Sequence, residues 1–342
     1  MNEQQRMLTD TIERLFPDLA AHERGHGARP DFGAGWERVR ELALCDLLLP
    51  EGAGGFGGSW QDARILMHAA GEHALALPVA ETMLARQLLQ DAGIAVPDAA
   101  ITLASCSAVQ AQGSGLRVEL RNVPWGTGEA CVLTAFAHEG GEYLALYDSS
   151  AARHCRRRDA VGAEPRADLE LDESALVASC RRENARDTLL LRGALLRATQ
   201  AGGALAGALA LTIAHVNDRV QFGRALAKFQ VVQHQLALLA EETAAVSCAA
   251  GAACLSLDTA GDTELAIACA KLRANRAVHQ ATSIAHQMHG AIGFTREHAL
   301  HHFTQRLWAW RSEFGNDRYW AGRLGREVAR AGAQALWPRI TG

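Results

Sequence analysis

Residues 187–218 contain no proline and are rich in Ala and Leu. A stretch of that length and composition is stable only as one long helix that hides its apolar surface. Similar segments follow near 229–257, 262–289 and 295–332, with breaks at Phe222-Gly223, Leu257-Asp258 and Gly290 to Gly293. Four long helices with apolar stripes pack most simply as an antiparallel bundle. The spacing therefore predicts a C-terminal four-helix bundle over 185–342.

The preceding chain has two different characters. Over 1–96 the apolar spacing is helical: Leu8, Ile12, Leu15 and Phe16 share one stripe, and Trp36 to Leu44 resumes it after a Gly/His/Arg/Pro-rich loop at 22–34. Five glycines in the seven residues from Gly52 to Gly58 exclude a helix there. Ser59 is placed to cap the next helix, over about 60–75, with Asp62 in its first turn, and another helix is expected over about 78–93. Over 97–184 short apolar or alternating runs (Ile101 to Ser105, Leu116 to Leu120, Ala130 to Ala137, Tyr143 to Tyr147) alternate with glycines. That reads as a small β domain, with Arg156-Arg157-Arg158 as a solvated loop. The expected architecture is mainly α with a small β domain: N-terminal helices, a middle β domain and a C-terminal bundle.

Composition narrows the function. The net charge of −4 disfavours a general nucleic-acid binder. None of the eight cysteines forms a C-x-x-C pair, so reduced core thiols are expected rather than a zinc site or disulfide framework. The polar, amphipathic N-terminus does not read as a signal peptide, and no uninterrupted apolar run reaches the length of about 18 residues that suggests a membrane span. A cytoplasmic protein is the expectation. His286, His289, His298, His301 and His302 lie close in sequence but are expected to be solvated histidines rather than metal ligands.

Three strings carry a family resemblance. Arg219-Val220-Gln221-Phe222-Gly223, continued through Leu226 to Gln230, resembles the R-x-x-F-G-x-x-(L/I)-x-x-x-Q signature of acyl-CoA dehydrogenases. Gln287-Met288-His289-Gly290-Ala291-Ile292-Gly293-Phe294 is similar to their Q-x-x-G-G-x-G-(F/Y) segment, and Leu49-Pro50-Glu51 with its glycines to their P-E-x-x-G-G-x-G turn. The resemblance spans the chain and implies FAD as cofactor, an acyl-CoA substrate and α,β-desaturation. It implies that Arg219 meets a pyrophosphate, that Phe222 packs on the cofactor, and that Gln287, Gly290 and Gly293 line the adenosine part, all serving the FAD of a neighbouring subunit. A planar guanidinium is suited to a dianionic phosphate pair. A dimer-based tetramer and an acceptor such as electron-transfer flavoprotein are further implications.

The sequence departs from this family where the chemistry would sit. The proton leaving the α-carbon needs a base, because a flavin takes only the hydride. The family's Y-E-G-T string corresponds to Glu313-Phe314-Gly315-Asn316, which puts Phe314 at the usual base position. An alternative family position, early in the first bundle helix, falls near Gly193. A one-residue slip would place Glu313 at the usual base position, at the expense of the Gly315 match. Ala104-Ser105-Cys106-Ser107 stands where a T-E-P-type flavin strand is expected, and Trp125 is out of register with the family tryptophan, so it is expected to fill the β-domain core. These features resemble the smaller, catalytically incomplete subunit of heteromeric bacterial acyl-CoA dehydrogenases that act on bulky thioesters such as steroid side chains. A homomeric enzyme using Glu313 as base, and a non-catalytic scaffold or DNA- or protein-binding relative, are the alternatives.

Overall fold

The computed structural model describes all residues except 1, 21–31, 113–114, 163, 333, 336 and 339–342. Four N-terminal helices come first: α1 (Glu3–Leu19), α2 (Phe32–Glu41), α3 (Trp60–Glu72) and α4 (Val79–Asp91). Ser59 caps α3 in a reciprocal capping box with Asp62. The expected loop at 22–34 lies mostly outside the described residues, but Phe32 to Ala34 already belong to α2.

Eight strands follow: β1 (Ile101–Leu103), β2 (Cys106–Gln112), β3 (Gly115–Pro124), β4 (Cys131–His138), β5 (Gly141–Asp148), β6 (His154–Val161), β7 (Glu164–Leu171) and β8 (Leu176–Arg181). They form two four-stranded sheets, ordered β1-β4-β5-β8 and β2-β3-β7-β6. Among the described residues only the β1–β4 pairing is parallel; the other ladders run antiparallel. Side chains alternate across a strand, and β5 shows the result. Leu144 and Leu146 join the helical core, whereas Ala145 and Tyr147 face the core between the sheets. A sheet buried on both faces reads as an apolar run, which is why these strands were legible. The Arg156 to Arg158 run, expected as a loop, is part of edge strand β6, where its side chains are exposed. An edge strand with no buried face has no apolar alternation to show.

The C-terminal part contains α5 (Ala185–Asp218), a two-residue hairpin of β9 (Val220–Gln221) and β10 (Arg224–Ala225), then α6 (Gln230–Asp258), α7 (Thr263–His289), α8 (Leu300–Ser312) and α9 (Asp317–Ala331). One correction applies. The segment 295–332, expected as the bundle's fourth helix, is two helices separated by the Glu313–Asn316 turn, with Asn316 capping α9. Both halves pack on α7, so the pair occupies the place expected of one helix.

α5 and α6 are each long and apolar enough to cross a membrane by length and composition. α5 spends that hydropathy as the central helix, packed on α3, α6, α7 and α8. Its approach to α3 is set by glycine. A Cβ on Gly203 would meet the His68 carbonyl and stand 2.8 Å from Glu72 N, so the two backbones touch there. The cysteines are free among the described residues, but Cys155, Cys248 and Cys269 are exposed rather than in the core.

Candidate active site

The α8–α9 turn meets the β domain and α5 at one place. Phe314 adopts a left-handed φ of 51°, and Gly315 a φ of 99°. Such a turn must have its carbonyls satisfied from outside. Trp320 Nε1 donates to Phe314 O at 3.0 Å, and Asn275 Nδ2 donates to Gly315 O at 3.2 Å. Lys271 Nζ donates to Trp310 O at 2.6 Å and Asn275 Oδ1 at 2.7 Å, closing the end of α8. Burial brings the Lys271 ammonium down to about 7. Held this way, the Phe314 side chain is buried, with its ring on Gly193 of α5: a Cβ built at Gly193 would lie 2.6 Å or less from three ring carbons. The two positions where the resemblance implies a base are thus one place in space, filled by an aromatic ring on a glycine.

Glu313 points away from that place, into a buried ion network. Its carboxylate pairs with Arg166 of β7 at 2.6 Å and with Arg197 of α5 at 2.7 Å. Arg197 continues to Glu81 of α4, while Arg166 pairs with Glu164 at 2.7 Å, which in turn meets Arg306 of α8 at 3.2 Å. Three carboxylates and three guanidiniums, drawn from all three parts of the chain, share this site. Burial alone would raise the Glu313 carboxyl, but the Arg166 and Arg197 charges outweigh it and bring it down to about 2. A carboxylate claimed by two guanidiniums is a weak proton acceptor.

Beside Phe314 opens a cleft of about 270 Å³, lined by Ser105, Ser107, Arg121 and Asn122 from β2, β3 and their approaches, and by Glu313 and Phe314. A second cleft of about 400 Å³ shares Ser105 and Cys106 and continues along Arg186, Leu190 and Tyr319. Ala104-Ser105-Cys106-Ser107 therefore lies at the cleft, where a flavin strand is expected. Burial pushes the Cys106 thiol up to about 11, leaving it unreactive near neutral pH. Trp125 lies elsewhere. Rather than filling the sandwich core, it packs with Ala100 and Ala130 against Phe32 and Trp36 at the seam with α2.

The residues implied in cofactor binding sit at the far ends of α5 and α7. Arg219 caps the C-terminus of α5 and is exposed. Phe222, at the hairpin tip, is 87% exposed with a φ of 53°. Gln287 is exposed in the last turn of α7, and Gly290 ends that helix with a φ of 65° and open space where a Cβ would stand. Gly293 differs, being buried against His289 and Leu300. Contact between the helix ends brings the two strings together: His215, four residues before Arg219, stacks on His289, two after Gln287, with centroids 4.5 Å apart. This surface presents the exposed Arg219 and Gln287 and the largely exposed Phe222 ring, which meets Phe229 edge-on at 6.1 Å. Such a set has the chemistry to meet anionic and aromatic groups. Sequence reasoning missed Arg166, Arg197 and Glu81, which lie far along the chain from Glu313, and His215, whose ring partner His289 lies 74 positions on.

Residues 183–329 match the family model described as the acyl-CoA dehydrogenase C-terminal domain. Acyl-CoA dehydrogenase IpdE2 of Mycolicibacterium smegmatis is 26% identical over 335 residues, spanning 96% of this chain and 100% of the relative. The protein of the same name from Mycobacterium tuberculosis is 28% identical over 320 residues, spanning 89% and 91%. Among solved structures, the Tcur3481-Tcur3483 steroid ACAD superposes with a TM-score of 0.84 at 24% identity, over 96% of this chain and 98% of that one. The ChsE4-ChsE5 complex of Mycobacterium tuberculosis gives 0.83 at 18% identity, over 97% and 99%. Butyryl-CoA dehydrogenase of Megasphaera elsdenii gives 0.75 at 17% identity, over 95% and 98%. At these identities the superpositions establish the fold.

Proposed function

We propose that this chain, a member of the acyl-CoA dehydrogenase family, is the catalytically incomplete subunit of a heteromeric, flavin-dependent acyl-CoA dehydrogenase. The observation that carries this reading is the Phe314 ring on Gly193, an apolar contact filling both places where the family keeps its base. FAD, when bound, supplies the hydride acceptor for desaturation of the thioester. This chain's contribution is to the cofactor's other end. Arg219 would hold the pyrophosphate by charge-assisted hydrogen bonds, Phe222 would cover it, and Gln287 beside the open backbone of Gly290 would line the adenosine part. Gly293, buried under His289, would serve by keeping that turn tight. The partner chain would supply the carboxylate that takes the α-proton.

Glu313 acts in this reading as a structural anion that neutralises Arg166 and Arg197. The exposed residues of α6, among them Val231 and Leu255, would pack against further subunits in a dimer-based tetramer. The name of one structural neighbour includes a steroid ACAD, which supports a bulky thioester such as a steroid side chain as substrate, in lipid or steroid breakdown. Electron-transfer flavoprotein, or a similar acceptor, would reoxidise the flavin.

The test is co-expression with the products of neighbouring genes, purification of any complex formed, and flavin absorbance and acyl-CoA oxidation assays. The expected result is little FAD and no turnover in the isolated chain, and about one FAD per pair of chains with activity in the complex. One tightly held FAD per isolated chain, together with turnover, would overturn the proposal.

A further inference from the structure

The junction of α5, α7 and the segment before α8 holds a cluster that dehydrogenation does not use. His215, His289 and His298 each offer a ring nitrogen, and these nitrogens lie within 4.8 Å of one another. The His215 and His289 rings stack, and His298 stands edge-on to both, with centroids 4.5 Å from His289 and 6.1 Å from His215. His215 lies 74 positions before His289, at the end of a different helix, and His298 stands nine positions after it in the segment before α8, so only the fold assembles the three.

The state of His289 identifies what the cluster can take. It is 5% exposed, and its Nδ1 lies 2.8 Å from Ala285 O. A carbonyl only accepts, so Nδ1 carries the proton and Nε2 is left as a lone pair. That Nε2 is buried without a hydrogen-bond partner among the described residues. A buried acceptor left unpaired is unusual and calls for a ligand. Backbone anchoring of the opposite ring nitrogen is also how metal-binding imidazoles are oriented. Two helix C-termini, of α5 at Asp218 and α7 at His289, end here, and the negative ends of their dipoles favour a cation. Of the neighbouring charges, Arg219 opposes a cation and Asp218 favours one.

We propose that His215, His289 and His298 form a three-histidine site for a borderline divalent transition metal, represented by zinc, with a further position open to water. His298 Nδ1 accepts from Leu300 N at 3.1 Å. Whichever nitrogen of His298 binds the metal, the ring gives up that hydrogen bond, a small loss against a metal–imidazole bond. The bound ion would tie together the ends of α5 and α7 that carry Arg219 and Gln287. The site is independent of the reading of the chain as a dehydrogenase subunit, since no residue of the Phe314 cleft takes part.

The test uses the full, untagged chain, stripped with EDTA and titrated with zinc, with metal content read by mass spectrometry and with cobalt as a spectroscopic probe. The expected result is one equivalent per chain, a visible cobalt absorption and a zinc-dependent rise in melting temperature. His289→Phe and His298→Phe should each weaken binding by more than the about 10–100-fold that losing an outer partner costs. His234→Gln, on the exposed side of α6, should leave binding intact. If His289→Phe fails to fold, the half-buried His298→Phe decides. Absence of stoichiometric zinc in the wild type, or full binding in a folded His289→Phe or His298→Phe chain, would overturn the proposal.

Discussion

The Phe314 ring rests on the backbone of Gly193, leaving no room for a Cβ on α5 at that position. Two sites that are far apart in sequence, and that the family uses alternatively for its base, are here the two sides of one apolar contact. Each side chain is therefore conditional on the other.

A double-mutant cycle reads that dependence. Phe314→Ala should leave a cavity and destabilise the chain by about 3–5 kcal/mol. Gly193→Ala should overpack against the ring and cost about 1–3 kcal/mol. The double variant should be more stable than the sum implies, because the new methyl enters the vacated space, with a coupling of about 0.5–3 kcal/mol. Strict additivity in urea unfolding would show that the ring does not lie there.

Glu313 should stabilise the fold in a defined pH window. Its carboxyl titrates at about 2 when folded against 4.5 ordinarily. Between those values the folded state binds fewer protons than the unfolded one, so the stabilisation is fully present above about pH 4.5 and is lost as pH falls through about 2. Glu313→Gln leaves Arg166 and Arg197 without their shared anion, at a cost of about 3–5 kcal/mol near neutral pH. The stability gap between wild type and variant should narrow as pH falls from 4.5 toward 2. A gap that stays constant over this range would count against the ion network.

Arg219 is expected to matter only when a partner is present. In the proposed complex, Arg219→Ala would remove a charge-assisted phosphate contact worth about 1.5–3 kcal/mol, or roughly ten- to hundred-fold in FAD affinity. Arg219→Lys should recover part of this, since a point charge replaces a planar fork. The isolated chain's melting temperature should not change, because Arg219 is an exposed helix cap. Flavin fluorescence titration distinguishes these results, and equal FAD affinity in all three proteins would remove Arg219 from the site.

Gly203→Ala should be disproportionately damaging for a single methyl. The new Cβ would collide with backbone, the His68 carbonyl, and not with a flexible side chain. A cost on the order of 3 kcal/mol is expected, at the upper end for overpacking. Gly251→Ala, on α6 where the nearest atoms are the end of the Arg64 side chain at 3.8 Å, should be neutral or stabilising in the same thermal melt.

Local chemistry made much of this protein readable from its residues. Proline-free Ala/Leu stretches named α5, α6 and α7, Ser59 with Asp62 marked the start of α3, and doubly buried strands such as β5 showed as apolar runs. The glycine-interrupted strings around Arg219 and Gly290 marked where α5 and α7 end. The Glu313–Asn316 turn was not legible, because its stability comes from Lys271, Asn275 and Trp320 donating to its carbonyls and the end of α8. Nor was the fate of Glu313, a plausible base by sequence position that becomes the anion between two arginines 116 and 147 residues earlier in the chain. Periodicity and capping depend on neighbours within a few residues, so the sequence alone determines them. Whether a carboxylate is a base or a structural counter-ion, and whether three histidines meet, depends on charges and nitrogens brought together over long separations, which only the packed tertiary structure decides.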